Sequence, residues 1–241
     1  MMIPVAEIFG PTIQGEGPHA GMQTLFVRVV GCDFNCAWCD SKFAWRVDEN
    51  TKRYGTKELA DKLVKECKIT KCSNVVITGG NPCLYDFEAV ISDLHDNEIT
   101  VDIETQGSKL PQWLFDVDLL VISPKAPSSK QPDVYESVNN YLKLMESIKG
   151  KVAIKIPVFN QEDFDFAIKY YELVKYYRRK NVDVDLYLSV GNTNTSEEGD
   201  ISRRVLDDYE KLINMVAESS MERVFILPQV HTLIWGNRQG V

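Results

Sequence analysis

The chain has 241 residues, 44% of them hydrophobic and 26% charged, with a formal net charge of -8. That size suits one α/β barrel-like domain or two small domains, and the acidic balance removes any general attraction to phosphate backbones, so nucleic acid is a poor partner. No apolar run approaches the roughly 20 residues a membrane span needs, and the opening MMIPVAEIFG lacks the basic flank and apolar core of a signal peptide, so a cytoplasmic protein away from membranes is expected.

Taken in chain order, strand and helix patterns alternate. Residues 24–30 (TLFVRVV) are apolar and β-branched and stop at Gly31, the pattern of a buried strand. Thr56 reads as the N-cap of a helix with Glu58 and Glu66 outside and Leu59, Leu63 and Val64 on one face. Further strands are expected at 74–78, 100–104, 118–122, 151–158, 185–190 and 223–227, and helices at 86–97, 134–147, 162–178 and 202–218. The alternation argues for a parallel sheet with right-handed crossovers and about seven strands, close to a full barrel or just short of one. In such folds the chemistry gathers at the carboxyl ends of the strands. The informative motifs all fall there, so loops distant in sequence are expected to line one mouth.

Six cysteines in a chain without a signal do not read as a disulfide framework. Cys67, Cys72 and Cys83 are scattered and suit small core residues. Cys32, Cys36 and Cys39 form C-x3-C-x2-C directly after a strand. Three thiolates on one tight loop can hold three corners of a [4Fe–4S] cube, and with no fourth cysteine nearby one iron stays open for a ligand. Structural zinc prefers four ligands, and a three-cysteine site completed by His19 stays open as an alternative.

The triplet, with the aromatic Trp38 inside it, is the signature of the radical S-adenosylmethionine superfamily, which the chain resembles. Thr78-Gly79-Gly80-Asn81-Pro82 is similar to that superfamily's GGE motif, with Asn81 in place of Glu. Glu104-Thr105-Gln106-Gly107 and Ser123-Pro124-Lys125 also end strands. Residues 7–17 (EIFGPTIQGEG) and 227–241 (LPQVHTLIWGNRQGV) sharpen the likeness, because both resemble the 7-carboxy-7-deazaguanine synthase family over nearly the whole chain.

The resemblance implies a single partial, TIM-like β/α barrel domain over 1–241, whose lead-in 1–23 and C-terminal segment 228–241 contribute to the active site. It implies ring contraction of 6-carboxy-5,6,7,8-tetrahydropterin to 7-carboxy-7-deazaguanine with release of ammonia. S-adenosylmethionine would serve as a regenerated radical source on the open iron. Cys32, Cys36 and Cys39 then hold the cluster, while Trp38, Cys39, Asp40, Gly79, Gly80, Glu104, Ser123, Pro124 and Lys125 meet the cofactor. Ile13, Gln14, Gly15, Arg28 and Thr78 meet the substrate; Glu16, Glu104, Gln229 and His231 suit the pterin edge, and the carboxylate of Val241 is expected to line the site. Arg28 makes independent sense, since a guanidinium within an apolar strand needs a partner, either a substrate carboxylate or an internal acid. Ser41 stands where the family commonly has Thr as the protein ligand of Mg²⁺; a helix N-cap is its alternative. A flavodoxin- or ferredoxin-like electron donor and a homodimer are further implications. Two other readings stay open: a radical activase of a glycyl-radical protein, and a zinc or iron–sulfur binding module without catalysis.

Overall fold

The apolar runs fold into a parallel sheet flanked by helices, and the structure, a computed structural model, adds two strands that their sequence pattern does not reveal. It describes residues 2–49, 51–148, 150–192, 201–238 and 240. In order the elements are β1 (Met2–Ile13), β2 (Gln23–Val29), β3 (Lys52–Gly55), α1 (Thr56–Thr70), β4 (Asn74–Gly79), α2 (Glu88–His95), β5 (Thr100–Thr105), β6 (Leu119–Ile122), α3 (Tyr135–Leu144), β7 (Lys151–Pro157), α4 (Gln161–Arg178), β8 (Asp183–Ser189), α5 (Ser202–Ala217), β9 (Val224–Leu227) and α6 (Val230–Trp235), with short 3-10 turns between.

Among the described residues the sheet has nine strands in the order β3-β1-β2-β4-β5-β6-β7-β8-β9. From β2 to β9 every pairing is parallel, while β1 runs antiparallel between β2 and β3. The end strands β3 and β9 do not pair with each other, so the barrel is partial and open.

Most of the lead-in is therefore a strand. Its apolar alternation is confined to Ile3 and Val5, which are buried, and breaks at Gly10-Pro11, where the ladder to β2 shifts register. That irregular pattern hid it, because period-2 alternation is what marks a strand in sequence. A second correction concerns Thr56, which is the first helical residue of α1; the cap is Gly55, whose N–H donates to Glu58 Oε2 at 3.3 Å.

The parallel registers sort the side chains by face. Val27, Ile77, Ile103, Leu120, Ile154 and Leu188 point outward and form one core with the buried faces of the helices, including Leu59 and Leu63 of α1 and Tyr170 and Val174 of α4. Cys67, Cys72 and Cys83 are buried in this core. Each fully buried large aliphatic side chain stabilises by about 1.5–3 kcal/mol, so the outer layer holds the sheet together and leaves the inner face free to carry polar groups. On that inner face a small apolar cluster of Leu119, Val121, Ala153 and Tyr187 fills one side. Arg28 and Thr78 stand side by side on neighbouring strands, and Lys155 lies beside Tyr187. Asp102 and Glu104 also face inward from β5.

Candidate active site

The carboxyl ends of the parallel strands open on one cavity of about 540 Å³. That lies within the roughly 300–1,000 Å³ usual for small-molecule sites. Its lining draws on the cluster loop after β2, the ends of β4, β5, β6, β7 and β8, the segment from Ile13 to Glu16 and residues of the C-terminal segment.

The three cysteines of the triplet line it together. Their loop is pinned on several sides: Gly31 N–H donates to Ala44 O at 2.8 Å, Cys32 N–H to Trp45 O at 3.1 Å, and Ala37 N–H to Ser129 O at 3.0 Å. All six cysteines are free thiols. Burial pushes the three loop thiols up, Cys36 to about 11; repulsion from Cys39 adds to this at Cys32 and Cys36, and the Lys125 ammonium pulls each one down. Iron is held by thiolates, so filling the site would release the protons that burial favours on these sulfurs. Among the described residues no three His, Cys, Asp or Glu side chains converge on a point where one ion could sit. His19 does not join the thiols, because its Nδ1 pairs with Asp102 Oδ2 at 2.6 Å. With His19 engaged elsewhere the triplet lacks the fourth ligand that a structural zinc wants, whereas three thiolates suffice for three corners of a cluster.

Behind the triplet lies a polar lattice that the motifs did not announce. Asn81, fully buried, donates from Nδ2 to Asp33 Oδ1 at 2.9 Å and to Ser108 Oγ at 3.1 Å, while its Oδ1 accepts from Cys83 N–H at 3.1 Å and Thr105 Oγ1 at 2.9 Å. Gln106 Nε2 and Ser108 Oγ also donate to Asp33, at 2.7 and 2.6 Å. Asp33 follows Cys32 directly, so β4 and β5 hold the cluster loop through its side chain. These bonds draw the Asp33 carboxyl down against the upward push of its partial burial.

Gly79 and Gly80 line the cavity, and the need for glycine there is steric. A Cβ on Gly79, whose φ is +121°, would lie 2.4 Å from Val29 O, and one on Gly80 would lie 2.1 Å from Gly31 O. The glycines let β4 close against the start of the cluster loop, which leaves their own backbone at the cavity wall.

Trp38 packs against Phe159, with ring centroids 4.9 Å apart, and donates from Nε1 to Ser128 Oγ at 2.9 Å. Lys125 Nζ lies 5.6 Å from the Trp38 ring centroid and donates to Ser123 Oγ at 3.0 Å. Ser123 and Lys125 reach the cavity; Pro124 between them is buried and does not line it. Asp40 and Ser41 line it as well, and Ser41 Oγ donates to Asp40 Oδ1 at 2.9 Å. Ser41 stands at the start of a 3-10 turn but makes no side-chain cap bond.

For Arg28 the structure supplies the internal acid and also places the side chain at the cavity. Its Nε donates to Glu7 Oε1 at 2.7 Å, an internal pair from β1, and NH1 donates to Ser41 Oγ at 3.0 Å while the side chain lines the cavity. Glu7 thus holds the guanidinium by its inner nitrogen.

The floor is built from Gln14, Glu16, Thr78, Glu104, Gln229 and a group absent from the motif assignments, Lys155. Glu104 accepts from Gln14 Nε2 at 3.2 Å and Thr78 Oγ1 at 2.9 Å, and Glu16 accepts from Gln229 Nε2 at 2.6 Å. Lys155 Nζ pairs with Glu16 Oε2 and stands 3.7 Å from Glu104 Oε1. Burial alone pushes the Glu16 carboxyl up, but Lys155, His231 and the bond from Gln229 outweigh it and bring it to about 2. Gly15 O accepts from Val230 N–H at 3.0 Å, and a Cβ on Gly15 would lie 2.0 Å from His231 Nδ1, so the lead-in and the start of α6 close on each other over the floor. Val241 lies outside the described residues. The sequence signal for Lys155 is a cation in the middle of the apolar strand KVAIKIPV, away from Lys151 at its exposed start and with the same parity as the inner-facing residues.

The profile of the Radical SAM superfamily matches residues 26–198. A 7-carboxy-7-deazaguanine synthase of Bacillus cereus is 39% identical over 99% of this chain and 99% of its own. The enzymes of the same name from Bacillus subtilis and Thermoplasma acidophilum are 39% and 30% identical, over 99% and 98% of this chain and 98% and 99% of theirs. The crystal structure of QueE from Escherichia coli shares the fold with a TM-score of 0.67 at 22% identity, covering 96% of this chain and 95% of that one. Streptococcus suis SuiB bound to S-adenosylmethionine superposes with a TM-score of 0.56 at 17% identity, over 84% of this chain and 49% of that one. An open β/α barrel with a cysteine triplet at its mouth, matched by that profile, defines a radical S-adenosylmethionine enzyme. Within that class the chain belongs to the 7-carboxy-7-deazaguanine synthase family. Membership implies a [4Fe–4S] cluster, S-adenosylmethionine and a place in deazapurine biosynthesis.

Proposed function

We propose that this single-domain enzyme contracts the ring of 6-carboxy-5,6,7,8-tetrahydropterin to 7-carboxy-7-deazaguanine, releases ammonia, and regenerates its S-adenosylmethionine. The observation that carries this reading is the division of one cavity: three thiols on one wall, and a guanidinium and a paired-carboxylate floor on the others. Cys32, Cys36 and Cys39 would hold the cluster, whose open iron and bound S-adenosylmethionine supply hydrogen-atom abstraction when present. Trp38, Lys125, Ser123 and the backbone of Gly79 and Gly80 stand beside the triplet and would position that cofactor.

Arg28 is fixed by Glu7 through Nε and touches Ser41 through one terminal nitrogen, and the remaining N–H groups of its terminal end would grip the substrate carboxylate. Glu16 and Glu104 would accept from the aminopyrimidinone edge, with Gln14, Thr78, Gln229 and His231 completing the match. Ser41 and Asp40 offer a hydroxyl and a carboxylate 2.9 Å apart at the rim. Ser41 would offer its hydroxyl to Mg²⁺, which keeps several waters and takes few protein ligands. A flavodoxin- or ferredoxin-like donor, a homodimer and a cytoplasmic setting accompany the proposal; no helix among the described residues is long and apolar enough to cross a membrane. Full-length likeness to synthases favours this reading over a glycyl-radical activase.

The test is turnover by anaerobically reconstituted enzyme supplied with the carboxypterin, reductant, S-adenosylmethionine and Mg²⁺, with mass spectrometry of the products. Carboxydeazaguanine and ammonia should form in equal amounts over many turnovers per S-adenosylmethionine. Stoichiometric 5′-deoxyadenosine without carboxydeazaguanine would refute the proposal.

A further inference from the structure

Lys155 has no part in the motif assignments, yet it is the cation at the centre of the floor. It stands on β7, 8% exposed. Its ammonium reaches two carboxylates from different parts of the chain, Glu16 from the lead-in and Glu104 from β5. The charged and titratable groups that face this trio are Asp40 from the cluster loop, His231 from α6 beside Glu16, and Asp102 one inward position below Glu104 with His19 upon it. Acids therefore outnumber the permanent cations here. Two carboxylates in one dry spot cannot both stay ionised without a cation between them; one would take a proton and turn from acceptor into donor.

We propose that Lys155 is the specificity-determining positioning residue of the cavity: it keeps Glu16 and Glu104 as a pair of ionised acceptors, so the floor takes a ligand edge made of adjacent N–H donors and rejects one that presents oxygen. The inference rests on the pterin reading and deepens it. A 2-aminopyrimidin-4-one edge carries its ring N–H and amino donors side by side, as a guanidinium does, and meets a carboxylate with two parallel hydrogen bonds. A 2-oxo analogue would turn a carbonyl toward a carboxylate and leave a buried acceptor unpaired. The depressed Glu16 carboxyl agrees with this arrangement.

The experiment titrates reconstituted enzyme with 6-carboxytetrahydropterin and with its 2-oxo counterpart, at pH 6.5 and pH 8.5. Wild type should prefer the amino ligand by about 100-fold or more at both pH values. In Lys155→Met the preference should shrink to less than about tenfold at pH 6.5, where one carboxyl holds a proton, and widen again at pH 8.5 as that proton leaves. Lys155→Arg should keep the wild-type preference. Lys155→Met/Glu16→Gln, with a single carboxylate left, should lose the pH dependence. Normal melting temperature and iron content in the last two variants keep the test readable if Lys155→Met folds poorly. Affinity for S-adenosylmethionine should be unchanged throughout. A pH-independent loss of both ligands alike in Lys155→Met makes the lysine merely structural and overturns the proposal, as does an unchanged preference. Wild type that binds neither ligand would instead overturn the pterin reading itself.

Discussion

Replacing Asn81 by Asp should loosen the cluster loop through a single atom. The side chain is fully buried, and its Nδ2 faces Asp33 Oδ1 at 2.9 Å and Ser108 Oγ at 3.1 Å. Aspartate keeps the acceptor used by Cys83 N–H and Thr105 Oγ1, and it turns the donor into a second carboxylate oxygen against the first. The lost charge-assisted bond is worth about 1.5–3 kcal/mol. Burial of an extra charge adds to that, and the solvent exposure of Asp33 screens part of the repulsion, so we expect a net loss of about 2–4 kcal/mol. For a chain of this size that lowers the melting temperature by roughly 10 °C. The companion variant Asp33→Asn/Asn81→Asp restores a donor facing an acceptor between these two side chains but takes the acceptor from Gln106 Nε2, so it should recover only part of the loss, a coupling near 1 kcal/mol in a double-mutant cycle. Calorimetry of the cluster-free protein in reducing buffer isolates this effect from cluster binding, and iron analysis after reconstitution follows the loop itself. A shift below about 2 °C, or strictly additive losses in the double variant, would show that the lattice does not hold the loop.

Other expectations follow from the same geometry. Cys36→Ala should abolish the absorbance of the reconstituted cluster and all turnover, whereas Cys67→Ala, in the outer core, should cost stability and spare both; iron content and the visible spectrum decide. Arg28→Lys should weaken carboxypterin binding by about 2–5 kcal/mol, because an ammonium cannot copy the planar fork, and leave S-adenosylmethionine binding nearly intact; equal loss of both ligands in paired titrations points to a damaged fold instead. Glu16 supplies a pH dependence. Its carboxyl falls from an ordinary 4.5 to about 2 on folding. A depressed acid stabilises above its unfolded value and loses that contribution as pH falls from 4.5 toward 2. Holding the carboxylate that far below its ordinary value is worth about 3 kcal/mol. Denaturant unfolding should therefore show wild type more stable than Glu16→Gln by that order at pH 6, with the gap closing below pH 4.5; a gap that widens on acidification contradicts the ion pairing seen here.

What the sequence determined by itself is what local physics writes into neighbouring residues. β-branched runs that end at Gly31, Gly79 or before Ser123-Pro124 mark parallel strands, because burial on both faces selects continuous apolar segments. Three cysteines within eight residues carry their chemistry at short range, so the triplet was legible without a fold. The tertiary structure decided what depends on parity and on distant partners. β1 was hidden because its pattern breaks at Gly10-Pro11, and it became a strand only by pairing with β2 and β3. Asn81 looked like a departure from a motif until Asp33, 48 positions away, stood against its amide. Lys155 looked like one odd cation in an apolar strand; it acquired partners only when the sheet brought β5 and the lead-in to the same inner face, 139 positions separating it from Glu16. A buried charge is tolerable only beside its complement, and for these residues the complement lies far along the chain, where only folding brings the two together.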